Sequence, residues 1–96
     1  MYEMADQSAV IATITGRVQG VGYRYTALRV AEQLGLRGWV RNAPDGSVET
    51  WAQGSGDVLE EFVAFLRQGP RSARVDSVDV RSVEADASLE GFRVRS

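Results

Sequence analysis

The sequence predicts an α+β sandwich, in which two helices lie on one face of a single sheet. The chain has 96 residues, 44% of them hydrophobic and 25% charged, which suffices for one core and is ordinary for a globular domain. Its apolar residues alternate between a period of two and a helical period, in the order strand, helix, strand, strand, helix, strand and short final strand. This order is the ferredoxin-like βαββαβ arrangement, with an antiparallel or mixed sheet.

The first strand and the first helix are predicted from a change of period. Residues 10–18 are rich in β-branched side chains, and their apolar side chains recur at every second position. After a break that contains two glycines, the apolar residues of 23–34 recur at helical spacing. Gly35 then suits the position just beyond a helix end, where the backbone turns left-handed.

A hairpin is predicted after the first helix. Residues 36–41 and 47–53 have the composition of strands, and the segment between them contains a proline and an Asp-Gly pair, which favour a tight turn. Trp39 and Trp51 are out of phase with the apolar positions that would enter the core. We therefore expect both tryptophans on the open face of the sheet.

The second helix is predicted at residues 57–67 from its apolar face. Asp57 is the predicted N-cap, because Glu60 follows it at capping-box spacing. Gly69 and Pro70 end this helix. The last two strands are predicted at residues 75–83 and 92–95.

The composition limits the chemistry open to this chain. It contains no cysteine and no histidine, and this removes the thiolate nucleophile, the most common general base and the most common zinc ligands. All eleven basic residues are arginine, so a lysine-containing phosphate loop is excluded. Carboxylates, hydroxyls, amides and arginines are the groups that remain for any chemistry. The net charge of −2 gives no general attraction to nucleic acid or to an anionic membrane.

The ends of the chain suggest one domain with a short extension. The first eight residues are polar and lack a signal-peptide pattern, and no apolar run approaches the roughly 20 residues of a membrane span. We therefore predict a flexible extension at residues 1–8, a single domain at residues 9–96, and a cytoplasmic protein.

The turn between the first strand and the first helix is the candidate anion site. Its two glycines allow successive N–H groups to converge, and the amino end of a helix favours negative charge. Arg24 offers a planar guanidinium that can hold two phosphate oxygens. By spacing alone, a tight turn without a ligand is the more frequent explanation. The residues assigned to this phosphate loop are Gln19, Gly20, Val21, Gly22, Tyr23 and Arg24.

Asn42 is the second candidate, at the end of the second strand. Taken alone, an asparagine before a tight turn is more often a structural Asx-turn residue than a functional one. Its amide cannot take a proton at neutral pH, although its oxygen can accept a hydrogen bond from a water molecule.

Two segments change these odds because they resemble the signatures of a known family. Residues 16–24, GRVQGVGYR, and residues 38–48, GWVRNAPDGSV, are similar to the two signature segments of acylphosphatases. The similarity extends from about residue 9 to the end, with departures at Tyr23, Ala43 and the polar link before Phe92. It implies hydrolysis of acyl phosphates to carboxylate and inorganic phosphate, with no metal and no cofactor, and with Arg24 and Asn42 as the catalytic pair.

The available side chains are consistent with direct attack by water on phosphorus. Val18 occupies the position at which a C-x5-R phosphatase carries its thiolate, so no covalent phosphoenzyme is expected from this loop. Arg24 and the loop N–H groups would neutralise the transferred phosphoryl group while Asn42 orients the water. Since no acid is evident in the site, the leaving group must depart without protonation, as a carboxylate does.

Two other functions remain open at this point. RNA-recognition modules share this architecture, but here the first strand carries no aromatic residue and the charge balance is acidic. A non-catalytic phosphate-binding module is the other alternative, and the presence of both Arg24 and Asn42 argues against it. The expected partners are a small acyl phosphate and its phosphate product, without nucleic acid or membrane, and the expected state is a monomer.

Overall fold

A computed structural model describes residues 7–96. Two helices and five strands follow one another in the predicted order. The elements are β1 (Ser8–Arg17), α1 (Tyr23–Gln33), β2 (Arg37–Asn42), β3 (Val48–Gly54), α2 (Gly56–Gln68), β4 (Arg74–Val83) and β5 (Phe92–Arg95). Residues 1–6 of the predicted extension lie outside the described residues, and β1 begins at Ser8, inside the range predicted for that extension.

The five strands form one mixed sheet in the order β4-β1-β3-β2-β5. All neighbouring strands are antiparallel except β2 and β5, which are parallel. Because β1 and β2 are both antiparallel to β3, they run in the same direction and their carboxyl ends reach the same edge of the sheet. This edge carries Asn42 and the loop that leads into α1, so the topology brings the two predicted site segments to one place.

One hydrophobic core lies between the sheet and both helices. Every second residue of the central strands enters it, as Ala12 and Ile14 do on β1, and both are fully buried. Helix α2 contributes Phe62, whose ring meets Phe92 edge-on at 5.9 Å between centroids. The period-two pattern of the strands and the helical period therefore indicate the side of each element that faces the core. The remaining large buried residues of the core are Val18, Tyr23, Leu36, Val40, Val48, Leu59 and Leu66.

The residues at the end of α1 are those predicted, whereas the start of α2 differs from the prediction. Helix α1 ends at Gln33, and Gly35 has the positive φ of 72° that its predicted position requires. Helix α2 begins at Gly56 with Ser55 as N-cap, so the prediction of Asp57 as N-cap is wrong. Asp57 instead lies in the first turn, where its carboxylate faces the positive end of the helix dipole.

The open face of the sheet carries the two tryptophans, as predicted. Trp39 and Trp51 are directly opposite each other on β2 and β3, and both are half-buried. The guanidinium carbon of Arg95 lies 4.6 Å from the centre of the Trp39 ring, which is a cation–π distance. The Trp39 indole therefore has a charged partner outside the core.

The link between β4 and β5 is fixed to the end of β3 by one buried amide. Gln53, 1% exposed, donates a hydrogen bond to the carbonyl oxygen of Asp86 at 3.1 Å and accepts one from the N–H of Asp86 at 2.7 Å. Gln53 lies at the opposite end of β3 from Val48, which pairs with Asn42. Neither helix of the described residues is long and apolar enough to cross a membrane.

Candidate active site

The amino end of α1 presents backbone donors to the edge of the sheet. Gly22 is the N-cap residue, with a left-handed backbone at φ 82°, and no side chain caps the helix. The N–H groups of the first helical turn have no partner within the helix, and the helix dipole adds positive potential there. These donors are therefore available to an anion.

The two glycines of the loop leave the space above it open. Gly20 and Gly22 have positive φ values of 76° and 82°, a conformation that other L-residues rarely adopt. No atom lies within 4 Å of the position that a Cβ would take on either glycine. A ligand can therefore approach the backbone of the loop without a side chain in its way.

Two side chains hold the loop in place. The amide of Gln19 donates to the carbonyl oxygens of Ala43 at 2.8 Å and of Ser47 at 2.9 Å, across the β2–β3 turn. The hydroxyl of Ser72 donates to the carbonyl oxygen of Val21 at 2.6 Å. The side chain of Gln19 thus points to the turn and joins the loop to the segment that follows Asn42, so only its backbone N–H is free to face an anion.

Arg24 lies in the first turn of α1 and is half-buried. Its guanidinium carbon is 5.8 Å from the centre of the Tyr25 ring. Within residues 7–96 no carboxylate forms an ion pair with it. The charge of Arg24 is therefore available for an anion at the end of the helix.

Asn42 is the last residue of β2, and its side chain carries an unusual buried atom. Its Oδ1 is buried and accepts no hydrogen bond from any described residue, and it is the one such side-chain atom in residues 7–96. A buried acceptor without a donor costs about 1–3 kcal/mol. Asn42 shares the face of β2 that carries the core residue Val40, two positions earlier, so its carboxamide lies on the same side of the sheet as the helices.

The turn after Asn42 takes its structure from another residue. Asp45 Oδ1 accepts hydrogen bonds from the N–H of Ser47 at 3.0 Å and from its hydroxyl at 2.6 Å, which lower the pKa of Asp45. The Asx-turn role that the sequence left open for Asn42 is therefore filled by Asp45. The Asn42 side chain is not needed for the turn.

Tyr23 has a buried side chain beneath the loop. Its hydroxyl donates to the carbonyl oxygen of Leu66 at 2.7 Å, and its ring lies 6.1 Å from that of Phe65. Burial raises the pKa of Tyr23 well above its ordinary value. Only the backbone of Tyr23 can contribute to the phosphate loop.

A pocket of about 320 Å³ opens beside these groups. Its walls are Val18, Gly20, Gly22, Tyr23, Arg24 and Tyr25. Asn42 does not line this pocket. The Gln19 amide connects the loop to Ala43, the residue that follows Asn42. A larger apolar cavity of about 500 Å³ lies between α2 and the two strands β1 and β4, and no predicted site residue lines it. In residues 7–96, no three His, Cys, Asp or Glu side chains cluster as metal ligands.

Three features of this site are not predicted from the sequence. The contacts of Gln19 and Ser72 join residues 24 to 51 positions apart, and no local pattern indicates such partners. Tyr25 also lines the pocket. The one sequence feature that could have indicated this is its position next to Arg24 in the first turn of α1.

Comparison with known proteins identifies the family of this chain. The family model for acylphosphatases matches residues 10–94. An acylphosphatase of Salinibacter ruber is 50% identical over 97% of this chain and 98% of its own length, and one of Thermus thermophilus is 51% identical over 88% and 96%. The structure of an acylphosphatase from Coxiella burnetii superposes with a TM-score of 0.90 at 34% identity, covering 99% of each chain. On this evidence the chain belongs to the acylphosphatase family.

Proposed function

We propose that this protein hydrolyses the carboxyl–phosphate anhydride of acyl phosphates, with water as the direct nucleophile. The reaction consumes one water and yields a carboxylate and inorganic phosphate, with the bridging oxygen leaving on the carboxylate. Membership of the acylphosphatase family supports this activity. The substrate is a small molecule, the protein acts as a monomer in the cytoplasm, and neither nucleic acid nor a cofactor takes part.

The phosphoryl group binds at the amino end of α1. The N–H groups of residues 19–24 and the guanidinium of Arg24 neutralise its equatorial oxygens. Phosphoryl transfer passes through a loose transition state and depends mainly on charge neutralisation and alignment, so these groups supply most of the catalysis. The absence of a side-chain cap on α1 and of an ion pair to Arg24 within residues 7–96 supports this assignment.

Asn42 orients the attacking water. The observation that carries this proposal is its buried Oδ1, which no described protein group satisfies. A water that donates to Oδ1 is fixed in position beside the phosphoryl group, and an aligned nucleophile lowers the entropic part of the barrier. The chain has no histidine, and the departing carboxylate needs no proton, so general acid catalysis is not required.

The test is the hydrolysis of benzoyl phosphate by the purified protein, followed by ultraviolet absorbance. We expect turnover in the presence of chelator, and a fall of at least about 100-fold in Arg24→Ala and in Asn42→Ala. The matched control for Arg24 is Arg29→Ala, an exposed arginine of the same helix, which should keep its activity. Wild-type turnover in Arg24→Ala or Asn42→Ala would refute the assigned roles, and phosphate binding without turnover by the wild type would indicate a non-catalytic module.

A further inference from the structure

The pocket beside the phosphate loop has one side chain that the proposed chemistry does not use. Tyr25 is 61% exposed and is the one exposed large hydrophobic side chain in residues 7–96. It lines the same pocket as Arg24 and lies within cation–π reach of that guanidinium. An aromatic ring left in solvent next to a reaction site calls for an explanation, since burial of such a ring is favourable.

We propose that Tyr25 forms the subsite for the acyl group and that it favours acyl phosphates with an aromatic acyl group. The inference rests on the proposed function, since it assigns the non-reacting part of the same substrate. It concerns recognition of the acyl group and leaves the hydrolysis itself unchanged.

Elimination among the walls of the pocket supports this assignment. Val18 and Tyr23 are each 1% exposed, so neither can present a face to a ligand outside the loop. The hydroxyl of Tyr23 is in addition held by the carbonyl of Leu66. Gly20 and Gly22 have no side chain and open space above them. Apart from Arg24, which binds the phosphoryl group, Tyr25 is the remaining residue of the pocket wall whose side chain a substrate can touch.

The geometry of in-line displacement agrees with this elimination. The attacking water and the leaving oxygen lie on opposite sides of phosphorus. Asn42, which holds the water, does not line the pocket, whereas Tyr25 does. With the phosphoryl group on the loop, the acyl group therefore leaves on the pocket side, where the Tyr25 ring can stack on a planar aryl group.

The experiment compares two substrates that share the phosphoryl group and differ in the acyl group. The values of kcat/KM for benzoyl phosphate and acetyl phosphate are measured for the wild type, Tyr25→Ala and Tyr25→Phe. We expect the ratio of benzoyl to acetyl to fall about tenfold in Tyr25→Ala, the size of one aromatic contact, and to stay within about twofold of wild type in Tyr25→Phe. Inhibition by inorganic phosphate, which has no acyl group, should be equal in all three proteins.

Each other outcome overturns the proposal in a recognisable way. An unchanged ratio in Tyr25→Ala means that the ring does not contact the acyl group. An equal loss for both substrates, together with weaker inhibition by phosphate, means that Tyr25 acts only through the position of Arg24. If the wild type hydrolyses neither substrate, the proposed function itself is refuted, and the subsite with it.

Discussion

Replacement of Asn42 by alanine should separate the loss of function from the loss of stability. In most proteins the loss of a buried amide destabilises the fold, because a hydrogen bond is lost. Here no described residue donates a hydrogen bond to the Oδ1 of Asn42, so the variant breaks no hydrogen bond within the protein at that atom. We expect Asn42→Ala to leave the free energy of unfolding within about 1 kcal/mol of its wild-type value. Turnover should fall about 100-fold, which corresponds to about 2.7 kcal/mol in the barrier.

Gln53→Ala is the matched control, because Gln53 is a buried amide with both hydrogen-bonding groups satisfied by Asp86. This variant should lose about 1–3 kcal/mol of stability and keep its turnover within about twofold, since Gln53 lies at the far end of β3 from the site. Urea unfolding followed by the fluorescence of Trp39 and Trp51 gives the stabilities, and benzoyl phosphate gives the rates. The reasoning is refuted if Asn42→Ala is destabilised as much as Gln53→Ala and retains its activity.

Four further predictions follow from individual contacts. Gln19→Ala removes both bonds to the β2–β3 turn, so stability should fall by about 1–3 kcal/mol and kcat should fall with it, as urea unfolding and the same turnover assay would measure. Tyr23→Phe removes only the bond to a backbone carbonyl in α2, so unfolding should show a loss of about 0.5–1.5 kcal/mol while kcat/KM stays unchanged. Gly38→Ala should not yield folded protein by circular dichroism, because a Cβ there overlaps the carbonyl oxygen of Trp51. Its control Gly56→Ala has open space around the new Cβ and should raise the melting temperature. Because the chain has no histidine, kcat/KM should be flat between about pH 6 and pH 8, and a bell-shaped profile would indicate an acid or base that the proposed mechanism lacks.

The local patterns of this sequence were sufficient for the fold. Strand and helix periods placed every element within two residues of its observed ends, because each pattern reflects burial of one face, and burial is what forms the element. The N-cap of α2 was missed because Ser55 and Asp57 are both good capping residues. The choice between them depends on where β3 ends, at Gly54, which local sequence does not determine.

The site could be predicted only in part. The glycines and Arg24 follow from the chemistry of a strand–helix turn, and the family resemblance selected Asn42 from the other turn residues. The burial of Asn42 Oδ1, the two bonds of Gln19 and the exposure of Tyr25 depend on how distant segments pack. Packing of this kind leaves no periodic trace in the sequence, so these features required the structure.

The central claim is that backbone donors and one guanidinium hold the phosphoryl group while the Asn42 amide holds the water. A crystal structure of the protein with inorganic phosphate bound tests it most directly. We predict phosphate oxygens within about 3.2 Å of the N–H groups of residues 19–24 and of the Arg24 guanidinium, with a water between phosphorus and Asn42 Oδ1. A phosphate bound elsewhere, or a carboxamide of Asn42 turned away from the bound anion, would contradict it.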